Sequence, residues 1–576
     1  MPRTSLLAAM LAFIGLSALS AHADSGDHRR DAGALLQGPT PTLAVSAAQF
    51  TAMLANGGAS GRALLGLSTG DLSGATPLPC GVAVYHYEYR SVGGRGHAVT
   101  ASGALMLPTG SGATCGGRRP LVEYAHGTNL NRSYDLAALG DPANPAWSES
   151  ALIAAMYAAQ GYIVVAPNYV GYDTSDASYH PYLVKTEQSD DMIDGLKAAR
   201  RALHRLGDDD DDQRGMPRPA RPNHQLFLTG YSQGGYVALA TEQAMQRRGM
   251  HVTAASPGSG PYALAAMVDY IFLGHPDLGA PSLGSLLVEA YQHSYGNVYA
   301  TPQQLFANGL YTPLPYADAA AAAASPLNAN PPMFDALAPT PAQVGTLPSD
   351  AGASADATLN AVFPATVPPY GSLPYLTPDA QVVAQPVWTE LFDTAGTASP
   401  FTPYNAYGSA FLPLWASSFS TSGTDNLINP GYRADYLADA VINPDGLFTG
   451  TTGMPTRNAS NGLREDLAAN DLRGYRPKAP TMLCGGSGDP IVYYPLNTAV
   501  MQAEWGQPTD TLFSLDVDPH SAAESQGPSA PFVGVQQAFQ YWKATAASPL
   551  AELEGYHGTV GVYCALAARE FFSRFR

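Results

Sequence analysis

Strand-like and helix-like segments alternate along residues 118–262, and this alternation restricts the fold more than any other feature of the sequence. The strand-like segments are the short apolar runs RPLVEYAHG, GYIVVAPNYVG, HQLFLTG and VTAASPGSG. The clearest helix-like segment between them carries apolar residues at the spacing of one helix face, namely Met192, Ile193, Leu196, Ala199 and Leu203. Apolar strands that alternate with helices predict an α/β fold in which a mostly parallel sheet is covered on both faces.

The alternation is interrupted once, and the interruption divides the chain. It stops near residue 264 and resumes at KAPTMLCGGSGDPIV, and the residues between are rich in Pro, Ala and aromatic side chains. We therefore predict a core made of residues 81–264 and 476–576, preceded by an N-terminal extension at 24–80. Segments inserted at the carboxyl ends of parallel strands overhang the ligand crevice, so we interpret residues 265–475 as a cap or lid rather than a separate structural domain.

The first 23 residues have the parts of a Sec-type signal peptide. A positively charged start precedes a short apolar run, and the sequence AHA, which ends at Ala23, is a cleavage site of the A-x-A type. We expect cleavage after Ala23 and a secreted or periplasmic protein without a stable membrane anchor. The net charge of −18 argues against nucleic acid as a partner.

Four cysteines lie in the predicted mature chain, at Cys80, Cys115, Cys484 and Cys564. An even number in an oxidising compartment predicts two disulfides. Three pairings are possible, and we prefer Cys80–Cys115 with Cys484–Cys564. We predict no metal site, because neither C-x-x-C nor H-x-x-x-H occurs in the sequence.

The pattern G-x-S-x-G, typical of a hydrolase nucleophile, occurs around Ser68 and again around Ser232. A catalytic serine in this pattern needs a strand before it, a sharp turn, and a helix after it. QLFLT precedes Ser232 and a helix-like segment follows it, while Gly230 and Gly234 permit a crowded turn. Turn-like residues surround Ser68, and we predict a loop there. Ser232 is therefore the predicted nucleophile.

A nucleophilic serine needs a base that is oriented by a third group, and here the acid precedes the histidine in the chain. Asp489 follows the predicted strand in TMLCGGSGDPIV and is the predicted acid. His520 and His557 are the two histidines after the core resumes. We prefer His557, in a glycine-flanked loop before the last helix, and keep His520 as the alternative base. If Asp489 and His557 meet, the preferred second disulfide joins the segments that carry them.

Backbone N–H groups that stabilise a developing oxyanion would complete such a site. Gln233, directly after Ser232, is one predicted donor. The loop after the strand-like VEYA contains His126 and Gly127, and Thr128 is the second predicted donor. We expect His126 to shape this loop rather than to act as the base, because it precedes Ser232 in the chain.

These residues lie in motifs that resemble the α/β-hydrolase superfamily and, more narrowly, the secretory lipases and related exported esterases. The motifs are YAHGT at 124–128, APNYVGYDTS at 166–175, HPYL at 180–183, GYSQGG at 230–235, GGSGDPIV at 485–492 and YHGTVGVYCALAAREFF at 556–572. The resemblance implies an α/β-hydrolase fold and hydrolysis of a small-molecule, lipid or polymeric ester through an acyl-enzyme, with no cofactor. The separations from serine to acid and from acid to histidine are longer than is usual for the family, and the second of these keeps His520 in consideration.

Two other classes of protein compete with this interpretation. A serine peptidase of the same fold would have the same triad, but the N-terminal propeller or Glu-rich amine-binding motif of a prolyl-peptidase relative is not visible in the sequence. An exported binding protein with an inactive site is the second alternative. The complete set of Ser, Asp, His and His-Gly residues argues against it.

Overall fold

The computed structural model describes residues 31–71, 73, 76–209, 220–272, 277, 279–305, 428, 430–450, 452–547 and 549–576. The predicted signal peptide and residues 306–427 of the predicted cap lie outside the described residues. Among the described helices we find none with the length and apolar character that a membrane-spanning segment requires.

One sheet of nine strands organises the described residues. The strands are β1 Leu35–Val45, β2 Gly81–Val92, β3 Ala98–Thr109, β4 Arg118–Ala125, β5 Ile163–Pro167, β6 Arg221–Tyr231, β7 Ala254–Gly258, β8 Thr481–Gly485 and β9 Leu512–Asp516. Their order across the sheet is β1-β2-β3-β5-β4-β6-β7-β8-β9. The first three strands in this order, β1, β2 and β3, pair antiparallel with their neighbours. The remaining six, β5, β4, β6, β7, β8 and β9, pair in parallel with one another. The predicted mostly parallel sheet is confirmed.

Helices fill the connections between the strands. The described α-helices are α1 Ala47–Asn56, α2 Gly58–Thr69, α3 Trp147–Met156, α4 Lys185–Asp209, α5 Gln233–Arg247, α6 Leu264–Phe272, α7 Ala280–Ser294, α8 Pro302–Leu305, α9 Pro430–Ile442, α10 Gly446–Thr449, α11 Gly462–Asn470, α12 Thr498–Trp505, α13 Val533–Ala544 and α14 Pro549–Ser573. Short 3-10 helices lie at Gly94–Gly96, Ala158–Gln160, Tyr494–Leu496, Ala522–Ser525 and Gly527–Phe532.

The core lies on both faces of the sheet, as the sequence predicts. Successive side chains of a strand point to opposite faces. Val122 and Tyr124 of β4 therefore join the buried cluster that contains Phe572 of α14. Leu121 of the same strand joins the cluster that contains Ile193 of α4.

The stretch predicted as an N-terminal extension contributes β1 and two helices. β1 pairs with β2 along the sheet edge, and Phe50 and Leu54 of α1 are buried. Ser68 lies inside α2, so the predicted loop there was wrong. Its hydroxyl donates to the carbonyl oxygen of Leu65 at 3.0 Å, and both residues are buried. Burial of Leu65 against the core stabilises a helix that its glycine-rich sequence disfavours.

Two buried arginines hold helices α9 to α11 against the core. Arg464 of α11 pairs with Asp269 of α6 at 2.9 Å and with Asp439 of α9 at 2.6 Å. Arg473 pairs with Asp445, the N-cap residue of α10, at 2.7 Å. Removal of one partner would leave a buried charge unpaired, so these ion pairs fix the positions of the helices.

Glu242 of α5 makes the stability of the fold depend on pH. One carboxylate oxygen accepts from the hydroxyl of Thr481 at 2.9 Å, and the other has no hydrogen-bond partner among the described residues. Burial raises the pKa of Glu242 from 4.5 to about 8. The folded protein therefore keeps this proton at pH values at which the unfolded chain has lost it. Stability falls as the pH rises through that range.

We expect Glu242→Gln to unfold at a higher temperature than the wild type at pH 8, because the amide needs no proton to remain neutral. The difference should shrink towards zero near pH 4, where both chains carry a neutral side chain. Thermal unfolding followed by circular dichroism across this range measures the effect. Glu465→Gln, at an exposed position of α11, is the control. A difference in unfolding temperature that does not change with pH would contradict the raised pKa of Glu242.

Candidate active site

Ser232 occupies the sharp turn between β6 and α5. Its backbone has φ 58° and ψ −122°, a conformation that residues other than glycine rarely adopt. A Cβ atom on Gly230 would lie 2.4 Å from the carbonyl oxygen of Ala125, and one on Gly234 would lie 1.9 Å from the same oxygen. A Cβ on Gly235 would lie 2.0 Å from a carbonyl oxygen at the end of β7. The start of α5 thus contacts β4 and β7 backbone to backbone.

Three of the predicted site residues meet at this turn. Nε2 of His557 lies 2.9 Å from Oγ of Ser232, and Nδ1 lies 2.7 Å from Oδ2 of Asp489. The Asp489 carboxylate also accepts from the backbone N–H groups of Ile491 and Val492 at 3.0 and 3.1 Å. A carboxylate at Nδ1 places the imidazole proton on that nitrogen, which leaves Nε2 free to accept the serine proton.

Two further side chains, which the sequence does not predict at the site, contact Asp489 and His557. The hydroxyl of Ser259 donates to Oδ2 of Asp489 at 3.2 Å. The hydroxyl of Tyr231 hydrogen bonds to the carbonyl oxygen of His557 and lies 2.9 Å from its Nδ1. Tyr231 occupies the variable position before the serine in G-x-S-x-G. Its position next to Ser232 in the sequence is the one feature from which its contact with the site could have been predicted.

His557 lies inside α14 rather than in a loop that leads into the last helix, so that part of the prediction was wrong. The helix begins at Pro549 and continues through the glycines that suggested a loop. Gly561 shows why one of these glycines is present. A Cβ there would lie 2.7 Å from the ring of Tyr231, so the glycine permits close packing between α14 and the nucleophile turn.

Both disulfides follow the preferred pairing, which is confirmed. Cys80 and Cys115 form one, and Cys484 and Cys564 form the other. The second joins β8, which leads into the loop of the carboxylate, to α14, which carries the imidazole. It therefore ties together the two segments whose side chains must meet.

The alternative base, His520, lies beside a different residue. Its Nε2 is 2.9 Å from Oγ of Ser487, and its backbone N–H donates to Glu524. Within the part of the chain that the structure describes, His520 makes no hydrogen bond to Ser232. The geometry favours His557 over His520 as the partner of the serine.

The two predicted oxyanion donors lie next to the nucleophile turn. Gln233 is the first residue of α5, where helical N–H groups have no partner within the helix. Neither its N–H nor that of Thr128 donates to any acceptor among the described residues. A Cβ on Gly127 would lie 3.6 Å from the carbonyl oxygen of Tyr231, so the Thr128 loop runs alongside the turn. Free N–H groups in this position can bind a developing negative charge.

His126 is buried in the loop that carries the second donor. Its ring stacks on Tyr134 and Tyr169, with centroids 4.5 and 4.0 Å apart. One ring nitrogen lies 3.0 Å from the carbonyl oxygen of Asn168 and the other 2.6 Å from that of Gly127. Burial lowers the pKa of His126, so the imidazole is neutral. These contacts shape the loop, and each ring nitrogen of His126 faces a backbone carbonyl oxygen.

Ser232 opens onto a cavity of about 860 Å³, a volume that includes the part open to solvent. Its lining is almost entirely apolar and comes largely from α6 and α7. Asp277 is the one charged side chain among the described lining residues, and burial raises its pKa to about 7. The apolar side chains include Leu264, Met267, Ile271, Leu283, Leu287 and Val288.

One cluster resembles a metal site in composition. Ligand-type atoms of His86, Asp135 and Asp173 lie within 4.8 Å of one another. Nε2 of His86 is 2.7 Å from Oδ2 of Asp173, and Ser102 donates to the same oxygen at 2.7 Å. Asn168 donates to Asp135 at 3.0 Å. These hydrogen bonds tie β2 and β3 to the loop after β5, and we assign no metal to the cluster.

The backbone contacts at the nucleophile turn predict that Gly234→Ala destabilises the protein. The added methyl group has no space beside the Ala125 carbonyl, and we expect a loss of about 3 kcal/mol in unfolding free energy. Denaturant unfolding measures this loss. Gly534→Ala on α13 is the control, because a Cβ there meets nothing within 4 Å. Equal stability of the two variants would contradict the close backbone contact at Gly234.

Solved structures of other proteins resemble this structure. The rice cell wall degrading esterase LipA from Xanthomonas oryzae is 22% identical with a TM-score of 0.52, over 89% of this chain and 98% of that chain. A ligand-bound form of LipA is 23% identical with the same TM-score and coverage. No protein-family model and no curated protein matches the sequence. The sheet order, the turn at Ser232 and the likeness to LipA identify the fold of this chain as the α/β-hydrolase fold.

Proposed function

We propose that this protein is an exported serine hydrolase that cleaves carboxylic esters through an acyl-enzyme. The observation that carries the proposal is the hydrogen-bonded series from Asp489 through His557 to Ser232, at an apolar cavity. Ser232 Oγ attacks the ester carbonyl while Nε2 of His557 takes its proton. The imidazolium then gives that proton to the leaving alcohol, and water hydrolyses the acyl-enzyme with the same histidine as base.

The negative charge that develops on the carbonyl oxygen needs a partner. The N–H groups of Gln233 and Thr128, which have no other acceptor among the described residues, supply it in this proposal. Asp489 keeps the imidazole in the tautomer that faces the serine and stabilises its charged form. The reaction requires no metal and no organic cofactor.

Three observations support the cellular and structural parts of the proposal. Two disulfides are typical of proteins in oxidising compartments, which agrees with the predicted signal peptide. LipA is described as an esterase. Helix α7 and all of α6 except its first residue belong to residues 265–475, and both helices line the cavity at the serine, which agrees with a cap over a core formed by 81–264 and 476–576.

Hydrolysis of p-nitrophenyl esters by four variants tests the proposed triad. We expect Ser232→Ala and His557→Ala to lower kcat by at least about a thousandfold, because each removes a group that acts in bond making or proton transfer. Asp489→Asn should have a large but smaller effect. His520→Ala should retain activity close to that of the wild type.

The result for His520 decides between the two histidines. Loss of activity in His520→Ala with retention in His557→Ala would reverse the assignment. A wild-type protein that hydrolyses no ester would contradict the ester proposal. Aminoacyl and dipeptidyl anilides would then test the serine peptidase, and a chain inactive on all of them would leave the binding protein.

The apolar cavity favours esters with an apolar acyl chain. Burial of each methylene group contributes about 0.8 kcal/mol, so a longer chain gains affinity as far as the cavity extends. Gly284 of α7 lines the cavity, and a Cβ at this position meets nothing within 4 Å. A larger side chain at this lining position therefore starts in open space beside the cavity.

We expect Gly284→Phe to shift the preference among p-nitrophenyl esters of two to sixteen carbons towards shorter acyl chains. The ratio of kcat/KM for octanoate to that for acetate measures the shift, and we expect it to fall about tenfold. Gly284→Ala, which adds little volume, is the control. An unchanged ratio in the Phe variant would show that the acyl chain does not occupy this cavity.

A further inference from the structure

The segment between β5 and α4 contacts both proposed oxyanion donors. Nε2 of His180 lies 2.6 Å from the side-chain nitrogen of Gln233. The hydroxyl of Tyr182 accepts a hydrogen bond from the hydroxyl of Thr128 at 3.1 Å. Two residues of one segment therefore contact the side chains of the two proposed donors, which come from the start of α5 and from the loop after β4.

His180 is suited to act as a fixed hydrogen-bond acceptor. Its Nδ1 lies 2.8 Å from the carbonyl oxygen of Val170, which places the proton on that nitrogen. Burial lowers the pKa of His180 to about 3, so the imidazole is neutral at working pH. Nε2 is then an acceptor, and the Gln233 amide must present its N–H₂ group to it. The ring also lies against Tyr169 and Tyr172, with centroids 5.7 and 4.8 Å away.

The segment is itself held in place on its other side. The carbonyl oxygen of Leu183 accepts from the hydroxyls of Tyr236 on α5 and Tyr291 on α7, at 3.1 and 3.2 Å. Leu183 has φ 55°, a conformation that persists only where surrounding contacts impose it. The contacts to the donors thus extend from a segment that is fixed relative to α5.

We propose that His180 and Tyr182 are positioning residues that hold the N–H groups of Gln233 and Thr128 in the geometry of an oxyanion hole, an inference that rests on the proposed function. An oxyanion hole is effective only when its donors are fixed before charge develops. Without the contacts at His180 and Tyr182, the two donors can still bind the ester. They then stabilise the tetrahedral intermediate less well.

The test compares His180→Phe and Tyr182→Phe, which keep an aromatic ring at each position and remove the hydrogen-bond acceptor. We expect kcat for a p-nitrophenyl ester to fall about tenfold to a hundredfold in each variant, with KM changed less than twofold. Affinity for an alkylboronic acid, which forms a tetrahedral adduct with the serine, should fall by a similar factor. His180→Gln, which retains an acceptor, should recover part of the loss.

Tyr157→Phe is the matched control, because it removes a buried hydroxyl that donates to the carbonyl oxygen of Ala565. We expect it to lower the unfolding temperature without a change in kcat. If His180→Phe and Tyr182→Phe behave like this control, their role is structural only and the proposal is overturned.

Calorimetric binding of the boronic acid separates this inference from the proposed function, because it does not depend on ester turnover. A wild type that binds the boronic acid but hydrolyses no ester contradicts the ester proposal alone, and the affinities of the variants still decide on the positioning residues. A wild type that neither binds nor hydrolyses overturns both.

Discussion

The backbone contact between the start of α5 and the ends of β4 and β7 is the constraint on which the rest of the site depends. Gly230, Gly234 and Gly235 make it possible, since a side chain at any of them would overlap a carbonyl oxygen. The close approach accompanies the positive φ of Ser232 at this turn. It also leaves the first N–H of α5, that of Gln233, free beside the hydroxyl. One steric condition thus positions both the proposed nucleophile and one of the proposed oxyanion donors.

A second set of contacts fixes Asp489, the proposed acid, relative to His557, the proposed base. Cys484 and Cys564 join β8 to α14 covalently. Tyr556, next to the imidazole on α14, accepts from the backbone N–H of Gly488 at 2.9 Å and donates to Asp518 at 2.5 Å. The loop of the carboxylate is therefore attached to the same helical turn that carries the imidazole. The disulfide and these hydrogen bonds together restrict the relative positions of Asp489 and His557, which are far apart in the sequence.

Much of this arrangement could be predicted because it follows from local patterns. The strands of the core, the strand-turn-helix at Ser232 and the acid after β8 all depend on apolar periodicity and on glycines at a crowded turn. The edge strand β1 and the helix around Ser68 could not be predicted. Their sequences are rich in small residues, and packing against the sheet decides their structure. The glycines around His557 predict a loop because glycines usually break helices, whereas Gly561 allows a helix to approach Tyr231.

The sequence by itself determined the alternating architecture, the candidate nucleophile and a short set of candidate acids and bases, because periodicity and turn chemistry are local properties. Only the tertiary structure decided which histidine faces the serine, since the local sequence suits a base both at His520, just after a strand, and at His557, before the predicted last helix, and the two differ in what the fold brings near them. It also revealed that His180 and Tyr182 contact the two donors. Side chains from separate loops meet only when the parallel strands place those loops at one edge of the sheet, and no local pattern encodes that meeting.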